Sequence, residues 1–242
     1  MNVSGNANAN GNANASSSRS VSHDNQAAPS TAGAAALAGA DHPMAREDAA
    51  RLPAGILEAQ VSLLGEVTET MACSLVEQLG RVEAGEDPVT VEITTLGGDA
   101  EMARRMVLEI DLARARLKPR RLVFLGKTTV YSAGVTLMSA FPREDRFLSR
   151  DAMLLIHCRQ LDKTVEIAGP MRSSLPQVRS LCHQIELGLE LEEANFRRLI
   201  EGSDVSLDEL LEKALCNWYV PAADAVKRGL VAGLVDPADA SN

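Results

Sequence analysis

Short apolar stretches alternate with longer amphipathic segments along most of the chain. Hydrophobic residues recur at every second position in the short stretches, as in strands, and every three or four residues in the longer ones, as in helices. The pattern predicts strands over 61–64, 89–95, 121–126 and 152–158. It also predicts helices over about 68–85 and 99–118, the second capped by Asp99 and closed by Pro119. This alternation favours an α/β fold with right-handed crossovers and a largely parallel sheet.

The last third of the chain is dominated by one long helix, predicted over 174–202. Its apolar residues recur at helical spacing: Leu175, Val178, Leu181, Cys182, Ile185, Leu189 and Leu199. Such a helix is longer than one small core needs, so we predict that it packs against a neighbouring subunit. Two short helices follow. Ser206 and Glu209 form a capping box for the first, and Pro221 and Gly229 mark the ends of the second.

Residues 1–45 consist mostly of Asn, Ala, Ser and Gly, without apolar periodicity. Such a composition cannot offset the entropy lost when a chain becomes ordered, so we predict a disordered tail. Residues 46–242 are predicted to form a single domain.

Charge and hydropathy narrow the class of protein. The formal net charge of −9 argues against a dedicated nucleic-acid or anionic-membrane binder. No stretch approaches the roughly 18 to 20 apolar residues of a membrane span. The first residues lack the basic and apolar regions of a secretory signal. We therefore expect a cytoplasmic protein with no membrane and no nucleic-acid partner.

The four cysteines lie far apart, with no CxxC pair and no Cys/His cluster of zinc spacing. They are predicted to be buried, reduced thiols: Cys73, Cys158, Cys182 and Cys216. We expect no disulfide, no structural metal and no cofactor.

A glycine pair is the first candidate for chemistry. The segment TTLGGDAEM runs from a predicted strand through Gly97 and Gly98 into a predicted helix. Paired glycines let a backbone approach a ligand and turn N–H groups into a cleft. A tight turn without function explains this segment equally well. The segment lacks the G-x-G-x-x-G and P-loop patterns, which excludes those two phosphate-binding sites.

Ser132 is the second candidate, because it precedes an apolar helix that opens with Ala133 and Gly134. A serine at a helix N-terminus gains from the helix dipole, and the N–H of the next residue can face a developing oxyanion. On this segment alone a simple helix cap is the commoner role.

A general base for Ser132 would have to be His157 or Lys127. His157 ends a predicted strand, where a side chain reaches the rim of a cleft, although a buried structural histidine is the alternative. The other histidines lie in the tail or on the long helix: His23, His42 and His183.

Taken together, these segments resemble the proteolytic subunit of the Clp protease (ClpP), a serine peptidase of the crotonase-like fold. The resemblance runs from about Ile56 to Val235. The segment LLGEVTETMACSLVEQLGRVEAGEDPVTVEITTLGGD resembles the family's first strand, helix and glycine-pair strand. YSAG resembles its nucleophile turn, LIHC its histidine strand and WYVPAADAVKRGLV its closing segment. Ser132 and His157 are 25 residues apart, as in the family. The resemblance implies repeated ββα units, a largely parallel sheet and a long C-terminal handle helix.

The resemblance also implies roles for single residues. Ser132 would be the nucleophile and His157 its base, while Gly98 and Ala133 would supply the N–H groups of the oxyanion hole. Asn217 falls on the family's third triad position, which holds an aspartate. An asparagine carbonyl can accept the imidazole proton but supplies no charge. In a chymotrypsin-fold protease the same Asp-to-Asn change lowers kcat about 10⁴-fold.

The sequence departs from the family pattern in further places. GKTTVYS, before the serine, is about two residues longer, and Arg159 stands where the family usually has proline. Asp99 puts a negative charge beside the glycine pair. Three acidic residues are candidates to replace Asn217 in the triad: Asp151, Asp162 and Asp224.

The leading hypothesis is a Clp-type serine endopeptidase that cleaves unfolded polypeptides through an acyl-enzyme inside an oligomeric chamber. The resemblance implies a homo-oligomeric ring stacked through the handle helix and suggests an AAA+ chaperone ATPase as partner. The alternative is a catalytically weak or inactive ClpP-like ring subunit, which the asparagine favours. Acyl-CoA chemistry of the crotonase type is a weaker third hypothesis, since it leaves the spacing of Ser132 and His157 unexplained.

Overall fold

A computed structural model describes residues 52, 53 and 55–236, so the predicted tail over 1–45 lies outside the described residues. The strands are β1 (Val61–Leu64), β2 (Val89–Thr95), β3 (Leu122–Tyr131), β4 (Arg146–Ser149), β5 (Met153–Ile156), β6 (Trp218–Pro221) and β7 (Gly233–Val235). The α-helices are α1 (Glu69–Gly80), α2 (Ala100–Leu117), α3 (Ala133–Met138), α4 (Met171–Ile200), α5 (Leu207–Ala214) and α6 (Ala222–Lys227). The described part is therefore the mixed α/β architecture that the sequence predicts.

The strands form one largely parallel sheet, as predicted. Strands β1, β2, β3, β4 and β7 lie side by side in that order, and all four neighbouring pairs are parallel. The last residues of β3 also pair with β5 in parallel, and β6 joins β5 antiparallel. The C-terminal end of β3 is thus flanked by β2 on one side and by β5 on the other.

Strand β3 is longer than predicted, because it continues through the segment GKTTVY to Tyr131. Its register with β2 shifts between Ile93 and Thr95, where β3 has two residues more than β2. Thr128 adopts a φ of 58° in this stretch. The two additional residues before Ser132 are therefore absorbed by a β-bulge inside the strand rather than by a longer loop.

Helix α2 begins where the sequence places a capping residue. The Asp99 carboxylate accepts hydrogen bonds from the N–H groups of Glu101 (2.7 Å) and Met102 (2.9 Å), which caps α2 as predicted. The helix α1 ends at Gly80 rather than at Gly85, since most of the side chains that follow are exposed. The helix α4 starts three residues earlier than predicted.

Both faces of the sheet are buried, and β3 contributes to both. Leu122 and Phe124 belong to the large core that includes α1 and α2, whereas Val123 and Leu125 belong to a smaller cluster. The remaining buried members of the smaller cluster are Ile56, Phe147 and Val235. Burial on both faces explains why this strand is continuously apolar in sequence.

Arg146, the first residue of β4, is buried and holds the C-terminal third of the chain on the sheet. Its guanidinium donates to the carbonyl oxygens of Phe141 (2.8 Å), Leu199 (2.6 Å), Arg198 (3.1 Å) and Leu230 (3.2 Å). Burial, together with the nearby Arg198 charge, lowers the pKa of Arg146 to about 10. The group therefore stays charged at neutral pH and ties the end of α4 and the turn before β7 to the core.

The helix α4 has buried residues only near its C-terminal end, while farther up Gln184 accepts a hydrogen bond from Lys163 at 3.0 Å. Its buried residues are Glu192, Phe196 and Leu199. Farther towards its N-terminus, exposed side chains form an apolar stripe at spacings of three and four residues: Leu175, Val178, Cys182, Ile185 and Leu189. No helix in the described part of the chain is both long and apolar enough to cross a membrane.

The prediction of four buried cysteines is wrong. Cys73, Cys182 and Cys216 are exposed, and Cys158 is partly buried. All four are free thiols. Cys73 and Cys182 lie on the amphipathic helices α1 and α4, where cysteine can occupy either face, and Cys216 lies in the turn after α5; only tertiary packing decides which of these positions is covered.

Replacing the buried guanidinium should destabilise the fold. In Arg146→Met the four carbonyl groups lose their donor, and we expect the free energy of unfolding to fall by about 3 kcal/mol or more. Urea denaturation followed by circular dichroism measures this change. The matched control is Arg150→Met, which removes an arginine that is 66% exposed and paired with Asp236. Its loss should stay below about 1 kcal/mol, and equal losses in the two variants would contradict the role given to Arg146.

Candidate active site

Ser132 occupies a sharp turn between β3 and α3. Its φ and ψ are 54° and −112°, a conformation that costs a non-glycine residue about 1 to 3 kcal/mol. Ser132 stands at the N-cap position, yet its side chain makes no capping hydrogen bond to α3. A simple helix cap therefore does not explain this serine. A strained strand-to-helix turn is the setting in which hydrolases expose a nucleophilic serine.

The pairing of β3 with β5 brings His157 to the same place. Tyr131 pairs with Leu155, and the N–H of Ser132 continues the pairing by donating to the Leu155 carbonyl at 2.8 Å. His157 follows the last residue of β5. Because the two strands are parallel, Ser132 and His157 both emerge at the carboxyl edge of the sheet, where α/β proteins bind ligands.

The glycine pair lies against the serine turn. A Cβ atom on Gly97 would lie 2.9 Å from the Ser132 Cβ, so only glycine permits this approach. Val67 fixes the pair from the other side, because its N–H donates to the Gly97 carbonyl and its carbonyl accepts from the Asp99 N–H, both at 2.8 Å. Gly98 has a φ of 145°. The glycine pair therefore forms a turn and also lets the backbone come close to Ser132.

Two backbone N–H groups are left without an acceptor at this turn. Among the residues that the structure describes, neither the Gly98 N–H nor the Ala133 N–H donates a hydrogen bond to the protein. Gly98 and Ala133 both line the cavity that also contains Ser132 and His157. Unpaired backbone donors beside a partly buried serine that can act as a nucleophile are the components of an oxyanion hole.

The cavity has a volume of about 70 Å³. Apart from the four residues predicted from the sequence, its walls are formed by Ala100, Val135, Thr136, Ile156, Arg159, Glu192, Asn195, Phe196 and Leu199. Apolar walls with a few polar groups are the lining that is typical of a substrate site. Among the described residues, no group of three or more His, Cys, Asp and Glu side chains is placed to hold a metal ion.

The imidazole of His157 has a backbone partner. Its Nδ1 lies 2.7 Å from the carbonyl oxygen of Cys158. A carbonyl can only accept, so Nδ1 carries the proton in this hydrogen bond. In the neutral ring Nε2 is then unprotonated and able to accept a proton, which is the tautomer that a general base requires.

Asn217 is not among the residues that line the cavity. It is exposed, in the turn between α5 and β6, with a φ of 59°. The three acidic alternatives are likewise absent from the cavity lining: Asp151, Asp162 and Asp224. Lys127, the alternative base, donates to the Glu92 carboxylate at 2.6 Å and is not in the lining either.

Sequence reasoning missed the contribution of α4. Four of its residues line the cavity at spacings of three and four positions: Glu192, Asn195, Phe196 and Leu199. The apolar Phe196 and Leu199 were a detectable signal, because they continue, at spacings of three and four residues, the helix face that carries the stripe farther up the helix. Burial and the neighbouring Glu192 carboxylate raise the pKa of the Cys158 thiol, which therefore stays protonated and is a poor nucleophile at neutral pH.

The close contact between Gly97 and Ser132 predicts a difference between two matched alanine variants. Gly65 and Gly97 have similar φ angles, 108° and 110°, but a Cβ on Gly65 meets nothing within 4 Å. Both Gly65→Ala and Gly97→Ala should lose stability through backbone strain. The Gly97 variant should lose about 1 to 3 kcal/mol more, because its Cβ also overlaps Ser132. Urea unfolding of both variants tests this, and equal losses would contradict it.

Comparison with known proteins identifies the fold. No protein-family model and no curated protein matches the sequence. A solved structure of a ClpP1 variant from Listeria monocytogenes, which carries an Asn-to-Asp substitution, is similar with a TM-score of 0.55. The alignment covers 75% of this chain and 94% of that chain, at 21% sequence identity. The described part of this chain therefore has a ClpP-like fold, as the sequence motifs predict.

Proposed function

We propose that the protein is a Clp-type serine endopeptidase that hydrolyses peptide bonds of unfolded polypeptides through an acyl-enzyme. One cavity carries the proposal. It is lined by a strained serine whose side chain makes no capping hydrogen bond, by a histidine, and by two residues whose backbone N–H groups have no acceptor in the described part of the chain. A structural turn does not require this combination, whereas acyl transfer uses a nucleophile, a base and oxyanion donors together.

In the proposed reaction the Ser132 Oγ attacks the substrate carbonyl carbon while its proton passes to His157 Nε2. The N–H groups of Gly98 and Ala133 donate to the resulting oxyanion. When the tetrahedral intermediate collapses, the C–N bond breaks and the imidazolium returns the proton to the leaving amine. Water then attacks the acyl-enzyme, gives a proton to His157 and releases the carboxylic acid product, while Ser132 recovers its proton.

The proposed peptidase has an uncharged partner for its histidine. The Cys158 carbonyl, or Asn217 after a rearrangement, can orient the imidazole but supplies no negative charge to stabilise the imidazolium. Loss of that charge lowers kcat about 10⁴-fold in a chymotrypsin-fold protease. We therefore expect slow turnover. The same observation supports the second candidate function, an inactive ClpP-like subunit with a structural or regulatory place in a ring.

The exposed apolar stripe on α4 supports an oligomer, since side chains at alternating spacings of three and four residues suit packing against another helix. The solved ClpP1 variant supports the same proposal through its fold. In an oligomeric chamber the substrate would have to arrive unfolded, and an AAA+ ATPase is the class of partner that would deliver it.

A fluorophosphonate probe tests the nucleophile. We expect intact-mass analysis to find one adduct on the wild-type protein and none on Ser132→Ala. Ser149→Ala, which removes a serine outside the cavity, should retain the adduct. An absence of adduct on the wild type would reject the peptidase and leave the inactive ring subunit.

Labelling kinetics of Asn217→Asp identify the residue that orients His157. Since Nδ1 already donates to the Cys158 carbonyl, we expect the labelling rate to change less than about tenfold. A rise of a thousandfold or more would instead make Asn217 the third member of a weakened triad.

Sedimentation velocity tests the oligomer. We expect the wild type to sediment as a multi-subunit assembly and the double variant Ile185→Asp, Leu189→Asp to form smaller species, because two buried charges would be desolvated at the interface. Gln177→Asp, an exposed position on α4 outside the stripe, is the control and should assemble normally. A monomeric wild type would contradict the proposed oligomeric chamber.

A further inference from the structure

Arg159 brings a cation to the edge of the candidate site. It lies two residues after His157 and lines the cavity together with Ser132. Its guanidinium is paired with the carboxylate of Glu101, at the start of α2. Glu101 has a second cation, Arg104, at 2.6 Å. Partial burial opposes ionisation of Glu101, but the hydrogen bonds from both arginines lower its pKa, so it is a carboxylate at neutral pH.

The backbone of Arg159 is fixed while its side chain has freedom to move. The N–H of Arg159 donates to the carboxylate of Glu192, which is only 8% exposed on α4. Proline at this position would have no N–H for Glu192. The Arg159 side chain, in contrast, is 27% exposed and reaches across to another element. Its guanidinium can therefore change partner without moving the strand end that carries His157.

Arg159 also stands at the boundary between two spaces. One is the cavity of about 70 Å³ beside Ser132, and the other is a groove of about 580 Å³ between the segment after His157 and α4. Arg159 lines both of them. A peptide that leaves the cavity at Arg159 would contact the guanidinium before it reached Ile185 and Leu189, which also line this groove and belong to the stripe on α4.

We propose that Arg159 selects substrates with an Asp or Glu side chain close to the scissile bond, by exchanging Glu101 for the substrate carboxylate. The exchange leaves no charge unpaired, because Glu101 keeps Arg104 when Arg159 turns to the substrate. The other carboxylate beside Arg159, Glu192, is engaged by the backbone N–H. The inference rests on the proposed peptidase for its substrate class, while its test measures binding and does not require catalysis.

The test uses two fluorescent unfolded peptides that are identical except that each Glu of one is Gln in the other. Their affinities are measured by anisotropy with the full-length Ser132→Ala protein, which cannot cleave them. We expect the Glu peptide to bind about threefold to tenfold tighter at low salt, and the difference to shrink as salt increases. Adding Arg159→Gln should abolish the preference, and adding Glu101→Gln should increase it because the guanidinium is then free.

Arg105→Gln is the control, because it removes the same charge as Arg159→Gln. Arg105 also lies on α2 and is paired with Glu109, but it lines neither the cavity nor the groove, so the preference should remain. Equal affinities for the two peptides, a preference that survives Arg159→Gln, or no binding of either peptide would overturn the inference. Failure of the peptidase proposal appears separately, as a wild-type protein that no fluorophosphonate labels.

Discussion

The parallel pairing of the end of β3 with β5 is the constraint on which the candidate site depends. Ser132 and His157 are distant in sequence, and a single ladder places both at one edge of the sheet, where the Ser132 N–H itself donates to the Leu155 carbonyl. The bulge in β3 serves this pairing, because β3 pairs with β4 before the bulge and with β5 after it, while β2 stays on the other side. The strained serine conformation persists because strands on both sides and the glycine pair surround it.

The surroundings of His157 distinguish this site from a charged triad. A backbone carbonyl sets the imidazole tautomer but adds no field that would favour the imidazolium. The buried carboxylate in the cavity wall, Glu192, accepts from the Arg159 N–H and faces the Cys158 thiol instead. In the proposed peptidase the chain would therefore orient the imidazole and supply oxyanion donors, but it would add no negative charge beside the imidazolium.

Two parts of α4 have different tasks. Its C-terminal end, anchored through Arg146, presents Phe196 and Leu199 to the cavity. The rest of the helix extends from this anchor with an exposed apolar stripe. An oligomer built on the stripe would transmit its packing to the wall of the candidate site through one continuous helix. In the proposed oligomer, assembly and substrate binding would therefore be physically connected.

The sequence by itself determined what local chemistry controls. Alternating hydrophobicity identified four of the seven strands in the described part and the parallel α/β class, Asp99 and Ser206 marked helix starts, and the ordered motifs identified the ClpP-like fold. Only the tertiary structure decided the length of β3, the exposure of the cysteines and the position of Asn217 outside the cavity lining. It also decided the partners of His157 and Arg159. Periodicity and caps depend on neighbours along the chain, whereas burial, side-chain partners and cavity walls depend on residues that meet only after the sheet and α4 have packed.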